Sequence, residues 1–488
     1  MNKYRVQFLL LLSLVFVGCG RDFLDTEPAQ QVSNLQLAQN PSAMETLLDG
    51  VYLSFAKAQA GGTTNHDDFG IKGIQSAADL ATNDQTMAVN HWFGAYYNFT
   101  GQLLTNSRTL IVWRTFYSQI FQLNNIINAI NDAGITDNNR YLLGQALVLK
   151  AYSLDQLARF YTFSYIGHEN DLSVPLPTGT ELVGLPRVTN TELYAKIQED
   201  IEQGITLLDG FNRGSNKAKI DQKTAKGLAA DMYLWIGNYE KAAEYANAAR
   251  QGFTLMDETS YTTTGFSQLT NNTEAVWGFA HNALTTSVYA SFFSNWDSTN
   301  RGYAGLLGVY KQIDKRLYDA ISDTDYRKKN FNGATAATYT FNEVSKEYPA
   351  YTNFKFKDPS FFEGHYIYFR ASLFYYIEAE ALARIGRVAE ARQVLYDITS
   401  VRDVAYALSN NSGDALINEI ILQKRIEMWA EGFAWWDQKR MNIPLDRNYT
   451  GTNHASFGRI NQAVDADRWR FQIPQLEVNN NPSMTQNP

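Results

Sequence analysis

Two carboxylates four residues apart are the first candidates for chemistry in this chain. Glu427 and Glu431 lie on one face of a predicted helix, Asp414–Arg440, and paired carboxylates are the acid and base of most glycoside hydrolases. Such pairs usually come from different elements that face each other across a cleft. Here Lys424 and Arg425 lie close enough along the helix to neutralise both. Structural ion pairing is the better interpretation, and the sequence predicts no catalytic residue.

Metal and cofactor chemistry finds little support in the sequence. The chain has one cysteine and six histidines, and no two histidines are close in sequence. Neither a His-Glu-x-x-His zinc motif nor a phosphate loop, a dinucleotide fingerprint or a Gly-x-Ser-x-Gly elbow is present. We therefore expect no metal site and no cofactor.

Aromatic side chains are the best candidates for ligand binding. They make up 14% of the chain, with 29 tyrosines, and the flat ring faces that pack a core can also stack on the apolar C–H face of a sugar. Rings in irregular segments can expose a face, whereas rings on helical stripes are buried. Core packing remains the alternative for each one. The candidates for ligand binding are Trp92, Tyr96, Tyr97, Asn98, Tyr289 and Trp296.

The N-terminal sequence predicts where the protein is located in the cell. Lys3 and Arg5 precede an apolar run, Phe8–Val17, that is too short to cross a bilayer, since a span needs about 20 residues. Small residues then lead to the single cysteine, Cys19. We interpret residues 1–18 as a lipoprotein signal peptide that is cleaved before Cys19, whose thiol then carries lipid. An ordinary secretory signal followed by a stray cysteine is the alternative.

The elements that must position these residues are mainly helices. Apolar residues recur at spacings of three and four on both sides of Gly237, between Thr224 and Gly252, which predicts a helical hairpin similar to half of a tetratricopeptide repeat. A second hairpin begins at Phe369 and turns at Gly386. Segments 63–108 and 253–369 lack long periodicity. A long loop is expected in the first segment, and loops, short strands and short helices are expected in the second. The predicted fold class is mostly α, a single large helical domain with embedded repeat-like pairs.

Charge excludes one class of partner. The net charge is -8, and charges of both signs are interspersed along the chain. A nucleic-acid-binding surface would need a basic patch, so no nucleic acid is expected as a partner.

Several landmarks together resemble a family of outer-membrane nutrient-binding lipoproteins, the SusD-like or RagB-like proteins. They span nearly the whole mature chain, and the stretch near Trp436 is the most specific. These landmarks are Cys19 with Phe23-Leu24-Asp25 and Pro28, Ala146–Phe160 with Val174-Pro175-Leu176 and Pro186-Arg187, Gly237–Ala242, Glu378–Ala381, Ile420–Arg440, and Ile473-Pro474 with Glu477 and Asn481-Pro482.

The resemblance implies a domain organisation. After the signal peptide, residues 19–40 would form a lipidated tether, and residues 41–488 one helical domain. Its N-terminal part would cover about 41–215 and its C-terminal SusD/RagB part about 270–488. Phe433, Trp435 and Gln438 depart from the residues common in the family motif, which weakens inferences about the partners of that helix.

The resemblance also implies a function. Such proteins are not enzymes; they are anchored by lipid in the outer membrane, face the cell exterior, and deliver oligosaccharides or polysaccharides to a SusC-like TonB-dependent transporter. Peptide or glycoprotein cargo in the same role is one alternative. A surface-anchored glycoside hydrolase is another, and it would release product from a polysaccharide.

Overall fold

The protein is described here by a computed structural model that covers residues 40–179, 183–341 and 343–487. The predicted signal peptide 1–18, Cys19 and nearly all of the predicted tether 19–40 lie outside the described residues. Within the described part of the chain, no helix combines the length and the apolar character that a membrane span requires.

Helices dominate the described residues, as the periodicity predicts. The α-helices are α1 (Pro41–Ser54), α2 (Gly70–Leu80), α3 (Gly94–Tyr97), α4 (Ser107–Ala133), α5 (Arg140–Tyr161), α6 (Asn190–Leu207), α7 (Gln222–Ile236), α8 (Tyr239–Arg250), α9 (Glu258–Thr262), α10 (Phe292–Trp296), α11 (Tyr303–Leu307), α12 (Lys315–Asp319), α13 (Ala371–Arg384), α14 (Val388–Arg402), α15 (Gly413–Glu427), α16 (Ala434–Arg440) and α17 (Gln475–Asn480).

Short strands pair only in twos among the described residues. The strands are β1 (Gln85–Met87), β2 (Leu172–Pro175), β3 (Arg187–Thr189), β4 (Ala275–Phe279), β5 (Lys311–Ile313), β6 (Ala337–Phe341), β7 (Val344–Tyr348), β8 (Tyr366–Arg370), β9 (Leu445–Asp446) and β10 (Asn461–Gln462). The antiparallel pairs are β1–β5, β2–β3, β4–β8, β6–β7 and β9–β10. The predicted fold class, mostly α with a few short strands, is confirmed.

Both predicted hairpins form, and they pack against each other. Gly237 ends α7 with a φ of +80°, and Gly386 follows α13 with a φ of +82°. This left-handed conformation lets the chain reverse and suits glycine. Helix α8 contacts both α7 and α13, so two hairpins that are far apart in the chain form one helical layer. A Cβ on Gly227 would lie 2.2 Å from Cζ of Phe374, so glycine lets α7 approach α13 closely.

One continuous core unites these elements. Most buried apolar side chains between Met44 and Met484 form one large cluster that includes residues from α1 to α16 and from the C-terminal segment, and two clusters of three buried residues each are separate from it. A domain with one such cluster cannot be divided without exposing apolar surface to water. The single helical domain expected from the sequence agrees with this packing.

Segment 63–108 is more ordered than its weak periodicity suggests. It contains α2, and all eleven residues of this helix are buried, including the polar Lys72, Gln75 and Asp79. The helix is short, so the helical spacing of Ile71, Ile74 and Ala78 does not extend into a long stripe, and protein surrounds it on every side. The expectation of a mainly irregular segment was therefore incomplete.

The predicted helix Asp414–Arg440 is two helices, α15 and α16, and the prediction of one continuous helix was wrong. Between them Ala430 and Gly432 adopt positive φ angles of 60° and 101°. The carboxylate of Asp79 on α2 accepts hydrogen bonds from the backbone N–H groups of Gly432, at 2.8 Å, and Ala434, at 2.9 Å. A buried carboxylate from a distant helix thus caps α16 and stabilises the break.

Candidate functional site

Five rings from three separate parts of the chain meet at the surface. We call them the aromatic patch: His66, His91, Trp92, Tyr289 and Tyr303. The ring centroid of His66 lies 4.9 Å from that of Trp92 and 6.1 Å from that of Tyr289, with which it is nearly parallel at 6°. Tyr303 lies 4.5 Å from His91 and 5.4 Å from Tyr289. These distances are typical of stacked and edge-on aromatic pairs.

A buried ion pair holds the loop that carries Trp92. Nε of Arg108, on α4, donates to the carboxylate of Asp67 at 2.8 Å, and its NH2 group donates to the backbone carbonyl of Trp92 at 3.1 Å. Burial raises the pKa of Asp67 to about 6, even though the charge of Arg108 lowers it. The loop is therefore anchored through its main chain, independently of the Trp92 side chain.

Hydrogen bonds from Asn295 on α10 hold the other side of the patch. The amide of Asn295 donates to the backbone carbonyls of Ser291, at 3.0 Å, Tyr289, at 3.4 Å, and His66, at 3.5 Å. Tyr303 begins α11, and its hydroxyl lies 2.5 Å from Nδ1 of His66. These bonds fix the relative positions of the three segments that build the patch.

The patch presents aromatic surface to solvent. The side chain of Tyr289 is 49% exposed, and the other four rings are half-buried. Nε1 of Trp92 and Nδ1 of His91 are buried and have no hydrogen-bond partner among the described residues. Burial lowers the pKa of His66 and of His91, so both rings are neutral at pH 7. The patch can stack on a ligand and hydrogen-bond to it.

Trp92 and Tyr289, two of the six sequence candidates, belong to the patch. Three others are buried in the interior and present no ring face: Tyr96, Tyr97 and Trp296. The hydroxyl of Tyr97 lies 2.8 Å from Nδ1 of His454, and Trp296 packs edge-on against Phe93 at 4.7 Å. The helical turn α3 and the short helix α10 direct these rings inward, which a sequence without long periodicity does not reveal.

The remaining candidate, Asn98, has a local structural partner. Its half-buried side-chain oxygen accepts hydrogen bonds from the backbone N–H of Thr100 at 3.1 Å and from its hydroxyl at 2.7 Å. An asparagine that bonds two residues ahead is typical of a turn.

Sequence reasoning missed His66, His91 and Tyr303 as members of the patch. All three lie in segments without long periodicity, the same signal that indicated Trp92 and Tyr289. Tyrosine and histidine are common in such segments, so composition gave no reason to single them out. Only the fold brings them together.

The two glutamates that could suggest catalysis are buried in an ion-pair network. Glu427 contacts Arg327 at 3.3 Å and both Arg370 and Arg402 at 3.1 Å. Glu431 contacts Arg370 at 2.7 Å and Lys355 at 2.6 Å. The expected ion pairing is confirmed. Burial raises the pKa of Glu431, but the charges of Arg370 and Lys355 outweigh it and lower the pKa to about 2.

The partners expected from the helix were wrong. Lys424 pairs with Asp437 at 2.9 Å, and Arg425 pairs with Asp84. Neither reaches Glu427 or Glu431, because the fold supplies arginines from other elements. In the part of the chain that the structure describes, no group of three or more histidine, cysteine or acidic side chains is arranged to hold a metal ion.

Comparison with known proteins gives matches along the whole chain. A family model described as starch-binding and associating with the outer membrane matches residues 22–234. The model of the SusD family matches residues 214–488. SusD-like protein P38 of Formosa agariphila is 22% identical over 540 residues, which cover 100% of this chain and 99% of the relative.

Solved structures share the fold. A SusD-like carbohydrate binding protein from Bacteroides vulgatus superimposes with a TM-score of 0.79 at 22% identity, covering 91% of this chain and 97% of that chain. Surface glycan-binding protein A from Bacteroides thetaiotaomicron, solved in complex with laminarihexaose, gives a TM-score of 0.67 at 15% identity, covering 91% and 98%.

Proposed function

This chain belongs to the SusD family, whose model covers more than half of its length, and on this premise we propose that the mature protein binds an oligosaccharide or polysaccharide at the cell surface. The other family model carries a description as starch-binding and associating with the outer membrane, and one structural neighbour was solved with a glucan hexasaccharide. Both support a glycan as the ligand.

The aromatic patch is the observation that carries this proposal. A sugar ring offers an apolar C–H face edged by hydroxyls, so it needs a flat platform with hydrogen-bonding groups beside it. Trp92 and Tyr289 supply rings next to His66, at centroid distances of 4.9 and 6.1 Å. Tyr289, which is 49% exposed, also carries a hydroxyl beside this platform. The patch contains no carboxylate or ammonium group, and a neutral glycan suits it best.

Substitution of the patch residues tests the proposal. Trp92→Ala and Tyr289→Ala should each weaken glycan binding by about tenfold or more, because central aromatic contacts in binding sites are each worth about 2 kcal/mol or more. The measurement is affinity electrophoresis across a panel of purified glycans, followed by calorimetry on the glycan that retards the wild-type protein.

The matched control is Tyr396→Ala. Tyr396 is half-buried on α14 and stacks with Tyr406 at a centroid distance of 6.4 Å. Its substitution therefore removes a similar aromatic contact outside the patch. It should leave glycan affinity unchanged. Equal retardation of the wild type and both patch variants would contradict the proposal, and retardation by no glycan would favour the peptide or glycoprotein cargo.

Lipid anchoring and a transporter partner complete the proposed function. Family membership supports a protein held in the outer membrane through an acylated Cys19, facing the exterior and delivering its ligand to a SusC-like TonB-dependent transporter. Cys19→Ser should move the protein from the membrane fraction to the soluble fraction, and mass spectrometry of the wild type should find acyl chains on Cys19. Co-purification of the anchored protein with a TonB-dependent transporter tests the partner.

We also propose that the protein binds its ligand without hydrolysing it. The carboxylates with catalytic spacing, Glu427 and Glu431, are engaged by arginine and lysine in the core. A general acid in a glycosidase needs a raised pKa, whereas the pKa values of both are lowered. Release of product from a labelled polysaccharide by the purified protein would refute this.

A further inference from the structure

A surface pocket lies apart from the aromatic patch. It is a pocket of about 320 Å³ whose lining includes His281, Asp358, Ser360, Glu363 and His365. The loop between β4 and α10 connects the two sites, since it carries His281 near one end and Tyr289 of the patch near the other. No aromatic platform lines this pocket, so it is built for a different kind of recognition.

The pocket wall is held by a hydrogen-bonded turn. The carboxylate of Asp358 accepts from the backbone N–H of Ser360 at 2.9 Å, from its hydroxyl at 2.6 Å, and from the N–H of Gly364 at 3.2 Å. A Cβ on Gly364 would lie 2.4 Å from Cε2 of Phe293, so this turn packs directly on the core. The wall is therefore pre-organised, which lowers the entropy cost of binding.

The imidazole of His281 offers an unused acceptor. Nδ1 of His281 lies 3.2 Å from the carbonyl oxygen of Thr285. A carbonyl can only accept, so Nδ1 carries the proton and Nε2 carries a lone pair. Burial lowers the pKa of His281 to about 4, so the ring is neutral at pH 7. The residue is only 7% exposed, and Nε2 has no partner among the described residues.

The charge of the pocket lining is negative. Asp358 and Glu363 line it, and no lysine or arginine does. The nearby ammonium group of Lys217 is occupied by the backbone carbonyls of Leu269, Thr270 and Asn272. Within the described residues, the carboxylate of Glu363 takes part in no hydrogen bond or ion pair. The pocket thus holds acceptors and negative charge without a matching cation.

We propose that this pocket binds the primary ammonium group of a small hydroxylated ligand, such as a sugar with a free amine. An ammonium group has three N–H donors and no acceptor. Asp358 and Glu363 line the pocket with carboxylates, and Nε2 of the lining residue His281 is a buried acceptor without a partner among the described residues. Neutral hydroxyl and amide groups, including those of Ser360 and Asn271, suit the hydroxyls of the carrier. Anionic ligands are repelled.

Calorimetry with matched sugars tests this proposal on the full mature protein. Methyl glucosaminide carries a protonated amine, methyl glucoside carries a hydroxyl in its place, and methyl N-acetylglucosaminide carries a neutral amide. The glucosaminide should bind about tenfold or more tighter than the other two, since charge-assisted hydrogen bonds are roughly twice as strong as neutral ones. Equal affinities, or no measurable binding of the amine, would overturn the proposal.

Two variants locate the site. Glu363→Gln removes a half-buried negative charge, and His281→Phe removes the acceptor but keeps a ring beside Phe279 and Tyr366, whose centroids lie 5.1 and 4.3 Å away. Each should weaken amine binding by about tenfold. Glu347→Gln, an exposed change of the same charge on β7, should not. Unchanged affinity in Glu363→Gln would overturn the proposal.

The aromatic patch provides an independent reference. The amine pocket does not rest on the proposed glycan site, so Trp92→Ala should leave binding of the glucosaminide unchanged. Parallel loss of amine binding in Trp92→Ala would assign the amine to the patch and overturn this inference.

Discussion

Removing the charge of Glu427 is expected to destabilise the fold strongly. Glu427→Gln keeps the size of the side chain but leaves Arg327, Arg370 and Arg402 with one negative charge fewer. All of these side chains are buried to within 1% exposure. The network joins β8, α14 and α15, so its loss affects elements that are far apart in the chain.

The magnitude follows from burial. Removing one partner of a buried ion pair lowers the free energy of unfolding by about 3–5 kcal/mol, because the remaining charge is then buried away from water without its partner. Each arginine retains another carboxylate: Asp325 for Arg327, and Glu274 for Arg370 and Arg402. We therefore expect a loss near the lower end, about 3 kcal/mol of the free energy of unfolding.

Urea denaturation followed by circular dichroism measures this loss. The matched control is Glu390→Gln on α14, where the pair with Arg387 is exposed to solvent, and exposed pairs contribute little. A double variant, Glu427→Gln with Arg402→Met, should recover part of the loss, since it removes the one positive charge that the network then holds in excess. If Glu427→Gln unfolds at the same urea concentration as Glu390→Gln, the reasoning from burial is refuted.

Three further outcomes follow from the core. The lowered pKa of Glu431, about 2 against 4.5 for a free glutamate, contributes stability that is present above about pH 4.5 and is lost as the pH falls toward 2. The pKa of Asp67, raised by burial from 3.8 to about 6, contributes stability that is present below about pH 3.8 and is lost as the pH rises through 6. From these two groups, urea unfolding between pH 2 and 8 should show a maximum at about pH 4, and a steady rise to pH 8 would contradict this. Gly432→Ala should lower the free energy of unfolding by at least about 1–3 kcal/mol through backbone strain, because φ is +101° and the new Cβ would lie 2.4 Å from Cβ of Gln75. An unchanged urea midpoint would argue against this tight contact. Tyr97→Phe should lower the free energy of unfolding by about 1 kcal/mol through the lost hydrogen bonds and leave glycan affinity unchanged, and a selective loss of affinity would restore this residue as a ligand-binding candidate.

The helical hairpins could be predicted because their signal is local. The stripe of apolar residues before Gly237 and the small residues after it lie within one stretch of the chain, and helix periodicity acts over three and four residues. The left-handed glycines at 237 and 386 mark the turns in the same local way. Family resemblance, carried by short motifs along the chain, was predictable for the same reason.

The interior of segment 63–108 could not be predicted in this way. Helix α2 has only eleven residues and is buried on all sides, so its apolar spacing is too short to identify a helix and its polar residues do not reveal that they are buried. The break between α15 and α16 depends on Asp79 of this helix. A carboxylate that caps a helix from a distant position in the chain leaves no mark in the sequence next to that helix.

The sequence by itself determined the helical class, the two hairpins, the family and two rings of the aromatic patch, Trp92 and Tyr289. Only the tertiary structure determined which rings face water and brought His66, His91 and Tyr303 beside them. It also determined that Glu427 and Glu431 pair with arginines from other elements. The physical reason is range: helix formation depends on neighbours along the chain, whereas burial of a ring or a charge depends on which distant elements pack over it.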